Sequence, residues 1–189
     1  MIDAAQLRAA LLERGALLEG HFRLSSGRHS ERFVQKFRIL EEPKLVAPVA
    51  EAIAARFAAQ GPTVVVSAAV GGIILGYEVA RALGLRAIFV EKEGGIPVLR
   101  RGFTLGPEDR VLVVEDVVTT GGSVREVLDL VRASGAQCIG VGAIVARSLP
   151  DFGVHFEALL NMPIESFAAE DCPLCARGEP IIDPGSRRA

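Results

Sequence analysis

The sequence predicts an α/β protein in which a parallel sheet is flanked by helices. Three observations carry this. Apolar, largely β-branched runs at 63–67, 86–90, 111–114 and 138–145 show little polar alternation, as in strands covered on both faces. Helix-length segments alternate with these runs, the order that builds parallel sheets. Half of the 189 residues are hydrophobic, enough for one sizeable core.

Asp3 and Gln6 have the spacing of a capping box, so a helix is expected over 4–14, ending near Gly15. Phe22 and Leu24 alternate with polar neighbours until Ser25, Ser26 and Gly27 break the run. Val34 to Leu40 predicts a second short strand. Pro43 suits a first helical turn, and 44–59 reads as an alanine-rich amphipathic helix ending before Gly61-Pro62. A strand at 63–67 follows, then a helix over 72–83 behind a glycine pair and a strand at 86–90. After the strand at 111–114 come a helix over 123–133, stopped near Gly135, and the strand at 138–145. The ending, CPLCARGEPIIDPGSRRA, reads as loop or tail. No repeat of fixed period is visible.

Charge and composition exclude several classes. Twenty-one basic and 23 acidic residues leave a formal net charge of -2, unlike a basic nucleic-acid binder. No apolar run reaches the roughly 18 residues of a membrane helix; the longest, over 64–75, is broken by Gly71 and Gly72. The start, MIDAAQLRAALLERG, lacks the basic-then-apolar order of a secretory signal, so a cytoplasmic location is expected. Three cysteines do not make a disulfide scaffold.

The informative stretch is VLVVEDVVTTGGS, 111–123. Ligands bind at the carboxyl ends of parallel strands, and Glu115 and Asp116 stand at such an end. Bare carboxylates are costly to bury, so adjacent acids there suit sugar hydroxyls or a metal held through water. The turn that follows leads into a helix, and its glycines, N–H groups and hydroxyls can converge on one anion. One end suits a diol and the other a phosphate, and a ribose 5-phosphate carries both. A Walker loop is excluded because no lysine follows the second glycine, and GxGxxG is absent. The bland alternative is a polar turn with an N-cap.

This stretch resembles the phosphoribosyl-pyrophosphate (PRPP) signature of type I phosphoribosyltransferases, which implies a Rossmann-like sheet with a small N-terminal hood. The resemblance implies that Glu115 and Asp116 contact the ribose hydroxyls. It implies that Val117, Val118, Thr119, Thr120, Gly121, Gly122 and Ser123 hold the 5-phosphate. GHFRLSSGRHS (20–30), FVEKEGG and RRGF are similar to orotate phosphoribosyltransferases, nearest a short-loop bacterial branch, over about 1–148. On that likeness the reaction is phosphoribosyl transfer from PRPP to orotate, giving orotidine 5′-phosphate and diphosphate. It proceeds with Mg2+ bound through PRPP, in a homodimer that shares a mobile loop. The chain is read as a single domain: hood and first helix to residue 42, core over 43–160, extension over 161–189.

The likeness also assigns single residues. Arg147, at the end of CIGVGAIVA, matches the arginine that contacts orotate, and a guanidinium suits a carboxylate. Thr119 touches the base as well as the phosphate loop. Phe33 faces the pyrimidine or packs in the core. Lys92 meets the pyrophosphate, where a point charge stabilises the leaving group. SAAVGG (67–72) matches the pyrophosphate loop, with Gly71 where longer enzymes carry a lysine. Ser25 stands where they carry a hood lysine and is placed with Phe33 on the orotate side. Their loop lysine and histidine are missing from EGGIPVL (93–99), and Arg100 or Arg101 is expected to supply the charge. Residues 93–103, with Gly94, Gly95 and Gly102, are expected to close over the site. Alternatives are a transferase for another base, such as xanthine, and a PRPP-sensing regulator. The missing lysine favours the regulator; the lack of room for a DNA-binding domain opposes it.

Cys172-Pro-Leu-Cys175 offers two ligands where structural zinc takes four, and His155 is the nearest histidine. Two such pairs joined across a dimer, a redox pair and a plain tail loop are the readings, with the loop favoured. Cys138 is expected in the core. His29 either reaches the acceptor site or bonds locally.

Overall fold

A computed structural model describes residues 2–24 and 27–184. Helix α1 (Ala4–Glu13) starts at the expected capping box: Gln6 N donates to Asp3 Oδ1 and Asp3 N donates to Gln6 Oε1. Strands β1 (Leu17–Arg23) and β2 (His29–Val34) form an antiparallel hairpin apart from the main sheet. The strand expected over 34–40 is not there. β2 comes earlier, and α2 (Phe37–Leu40) is a short helix that buries Ile39 and Leu40. Helix α3 (Pro43–Phe57) takes Pro43 in its first turn as expected.

The main sheet has six strands. They are β3 (Val64–Ala68), β4 (Arg86–Glu93), β5 (Ile96–Leu99), β6 (Arg110–Val118), β7 (Gln137–Ala146) and β8 (Phe156–Asn161), in the order β5-β4-β3-β6-β7-β8. All neighbours are parallel except β4 and β5. Helices α4 (Gly72–Leu83) and α5 (Gly122–Ala133) supply crossovers. β5 and β8 were not expected. Residues 93–103 are not an open loop: 96–99 pair back on β4 through a turn in which Gly94 and Gly95 have φ of +58° and +86°. Two successive positive φ values make the turn that suits hairpin twist.

The period of two along β6 divides the core. Leu112 and Val114 face α1, α3 and α4 with Phe57, Ile53 and Leu75. Val111 and Val113 face α5 with Val124, Val127 and Val131. On β7, Gly140 and Gly142 let α3 approach: a Cβ there would lie 2.5 Å from Phe57 Cε1 and 2.7 Å from Ile53 Cγ2. Residues 172–182 are not a free tail. A short helix, α6 (Pro173–Ala176), follows Cys172, and Ile182 bridges in parallel to Phe22 of β1. No described helix is long and apolar enough to cross a membrane.

Candidate active site

β6 runs apolar to Val114 and then places two carboxylates at its carboxyl end. Glu115 is 8 % exposed and Asp116 1 %. Asp116 N donates to Glu115 Oε1, and Val117 N donates to Asp116 Oδ1, so the backbone itself fixes both groups. Lys36, between β2 and α2, donates from Nζ to Asp116 Oδ1 at 2.9 Å and lies 2.7 Å from Oδ2. Asp116 Oδ2 still lacks an aligned hydrogen bond although buried. A buried carboxylate oxygen held only by an ion pair has accepting capacity left for a hydroxyl or for water on a hard cation.

Burial and the neighbouring Asp116 charge push the Glu115 carboxyl up to about 8. Its folded value lies above the ordinary 4.5, so the folded state holds the extra proton between the two. The stability this contributes is full below about 4.5 and is lost as pH rises through about 8, a few kcal/mol in order of magnitude. Glu115→Gln is therefore expected to raise the ligand-free melting temperature above wild type at pH 9, with the gap closing toward pH 5. Melting curves across that range check it; a pH-independent difference contradicts it.

Beyond the acids, Val117 to Ser123 line a cavity of about 500 Å³ with Arg28, Phe33, Arg147 and Ser166. A second hollow of about 770 Å³ shares Phe33, Glu115, Thr119 and Arg147 and extends to Lys36, Gly71 and Asp116. Gly121 must be glycine: its φ is +81°, and a Cβ would lie 2.7 Å from Phe152 Cε1. It opens α5, whose first-turn amides have no partner within the helix and whose first turn holds no acid. That is an anion cradle at the cavity wall. At the far side Arg147 is half-buried, and its Nη2 donates to Ser30 Oγ at 3.3 Å. Burial lowers its pKa from the ordinary guanidinium value, and no carboxylate lies within ion-pair reach of it among the described residues. One cleft thus offers hydroxyl acceptors, a helix start able to take an anion and a cation suited to a second anion.

Residues 37–150 match the phosphoribosyl transferase domain. The chain belongs to the phosphoribosyltransferase family. The orotate phosphoribosyltransferase of Pelotomaculum thermopropionicum is 52% identical over 185 residues, 97% of each chain. That of Carboxydothermus hydrogenoformans is 50% identical over 181 residues, 94% of this chain and 95% of its own. The crystal structure of orotate phosphoribosyltransferase from Aeropyrum pernix superposes with a TM-score of 0.71 at 25% identity, over 82% of this chain and 93% of its own. The fold is that of the type I enzymes, and the chain stands with the orotate members of the family.

Of the residues expected at the site, Glu115, Val117, Val118, Thr119, Thr120, Gly121, Gly122, Ser123, Phe33 and Arg147 meet at the first cavity, and Asp116 and Gly71 at the second. Phe33 also packs on Phe22, with ring centroids 5.8 Å apart. Ser25 lies outside the described residues. Lys92 and Arg101 do not line either hollow. Lys92 Nζ is 2.7 Å from Glu126 Oε2 on α5, and Arg101 makes two hydrogen bonds to Glu91. Arg100 lies 3.5 Å from Glu93. Lys36 was missed. The lysines of the chain are Lys36, Lys44 and Lys92, and one set among apolar neighbours in FVQKF was the available signal. Arg28 and Ser166, joined by Arg28 Nε donating to Ser166 Oγ, were missed as well.

Proposed function

We propose that the chain transfers the 5-phosphoribosyl group of PRPP to orotate, giving orotidine 5′-phosphate and diphosphate. The observation that carries this is Arg147: a half-buried cation facing the same cleft as the diol acceptors and the phosphate cradle. Orotate brings the carboxylate that this cation lacks. Glu115 and Asp116 accept from the ribose 2′ and 3′ hydroxyls, and the 117–123 turn holds the 5-phosphate. Orotate N1 forms the bond to C1 as the bond to the diphosphate oxygen breaks, and the diphosphate leaves with that electron pair. Catalysis rests on positioning and on charge placed where the diphosphate departs. Glu115 and Asp116 would hold Mg2+ through water by their carboxylate oxygens, and the ion would supply further neutralisation of the leaving group.

Lys36 exchanges Asp116 for the diphosphate when PRPP arrives. A Cβ at position 71 would overlap Lys36 Nζ, so the hood places its cation where Gly71 cannot carry one. Lys92 and Arg101 leave their surface carboxylates to join it, and the β4–β5 hairpin with residues 100–103 closes the cleft against water. The chain acts as one domain, with hood, core and extension meeting at the site. Magnesium dependence, a cytoplasmic setting and a homodimer belong to the same reading. Val70, Ile74 and Tyr77, exposed one to two turns apart beside the pyrophosphate loop, suit a second copy.

The test is loss of orotate absorbance on mixing the protein with Mg2+, PRPP and orotate. Turnover requiring all three is expected. Inactivity, or preference for xanthine or another base, contradicts the proposal.

A further inference from the structure

Outside the cleft, four metal-ligating side chains meet at one point. His21 on β1, His29 at the start of β2, and Cys172 and Cys175 around α6 have their ligand atoms within 4.8 Å of one another. From the geometry we infer that His21 Nε2, His29 Nδ1, Cys172 Sγ and Cys175 Sγ bind one structural zinc ion that clamps the C-terminal extension to the hood.

The edges of the cluster have the right lengths. Zinc with nitrogen at about 2.05 Å and sulfur at about 2.3 Å in a tetrahedron sets N···N at about 3.3 Å and N···S at about 3.6 Å. His21 Nε2 lies 3.0 Å from His29 Nδ1. Cys172 Sγ and Cys175 Sγ lie 3.6 and 3.7 Å from His21 Nε2, and Cys175 Sγ lies 3.3 Å from His29 Nδ1.

The surroundings prepare the ligands. His21 Nδ1 is 2.8 Å from the Glu179 carbonyl oxygen, which can only accept. The ring proton therefore sits on Nδ1, and Nε2 keeps its lone pair for a metal. His29 is fixed by paired backbone bonds with Phe167: His29 N donates to Phe167 O and Phe167 N to His29 O. Pro173 opens the short helix, so the cysteines at its N-cap and third position project from one turn. His21, His29 and Cys172 are each under 5 % exposed, and Cys175 stands at the solvent edge. Two nitrogens and two sulfurs fill a tetrahedron, so the site is closed and structural. The two thiols give up their protons on binding, and the pair of thiolates balances the charge of the ion.

The clamp ties residues 172–182 to the hood. About 150 residues separate His21 and His29 from the cysteines, a long loop for one link to close. Along the same seam Arg23 N donates to Ile182 O and Ile182 N to His21 O. The clamped elements also build the acceptor side of the cleft. Ser30 Oγ, one residue past His29, donates to Glu165 O and accepts from Arg147. His155, the nearest histidine in sequence, is instead paired with Glu157.

The test uses the full chain, produced with zinc in the medium and dialysed against metal-free buffer. Elemental analysis is expected to find about one zinc per chain, and X-ray absorption to find two sulfur and two nitrogen neighbours. His29→Ala and Cys175→Ser are expected to retain at least about tenfold less zinc. If either variant fails to fold, the wild-type protein produced with cobalt in place of zinc should show the visible bands of tetrahedral cobalt with thiolate ligands. Stripping the metal with a chelator should lower the melting temperature by about 10 °C and raise KM for orotate more than for PRPP. Protein without stoichiometric metal, a Cys172–Cys175 disulfide, or zinc whose removal leaves the melting temperature unchanged would overturn the inference. Zinc content, absorption spectra and melting temperature are all read without substrate, so this inference and the reading of the cleft fail separately.

Discussion

Arg147→Ala should lower kcat/KM for orotate by about two to three orders of magnitude while PRPP affinity stays within about twofold. Truncating one partner of a buried charged pair costs about 2–5 kcal/mol, and each 1.4 kcal/mol is a factor of ten. Arg147 qualifies because its guanidinium is half-buried, keeps its charge, and is held by Ser30 Oγ without a carboxylate partner among the described residues. Glu115, Asp116 and the 117–123 turn, proposed to hold the ribose and the 5-phosphate, belong to β6 and the start of α5 and do not use it. The loss should therefore fall on the acceptor. Arg147→Lys keeps the charge but loses the two-pronged geometry, so partial recovery is expected. Steady-state kinetics with each substrate varied, together with titration of PRPP in the absence of orotate, separate the two sides. An equal loss for both substrates contradicts the assignment.

The second large effect is expected from a single methyl group. Gly71→Ala should reduce kcat by about a hundredfold or more. The added Cβ would overlap Asp116 Oδ2 and Lys36 Nζ. Lys36 is long, about a third exposed, and can swing away. Asp116 cannot: it is 1 % exposed and its Oδ1 accepts from Val117 N at 2.6 Å. Either the carboxylate turns from the cleft or the 69–71 backbone lifts off it. A displacement of about 1 Å at a positioning group costs about 10² in rate. The fold should survive, because Gly71 sits at the cleft and not among the apolar core residues. Circular dichroism and kcat on the same sample test this, and near wild-type turnover in a folded variant contradicts it.

The parallel core was legible because its strands are continuous apolar runs and its helices carry clear stops, such as Gly84 and Gly135. That Glu115, Asp116 and the glycine-rich turn share one cleft was legible because one contiguous stretch holds them all. Edge strands were not. β5 contains Pro97, which is tolerated only at a sheet edge, and its glycine pair reads equally as a flexible loop or a tight hairpin. Phe37, Ile39 and Leu40 fit a strand as well as a helical turn, and tertiary burial chose the helix. Lys36 stands 80 residues from Asp116, and the two histidines stand far from CPLC. No local spacing reports such meetings; only the folded chain brings these groups together.

The measurement that tests the central claim most directly is a crystal structure of the protein with Mg2+ and PRPP. The expected result has the ribose hydroxyls on Glu115 and Asp116, the 5-phosphate against 119–123, and Lys36 moved from Asp116 toward the diphosphate. PRPP bound elsewhere, with the Lys36–Asp116 pair intact and the turn at the start of α5 empty, would contradict it.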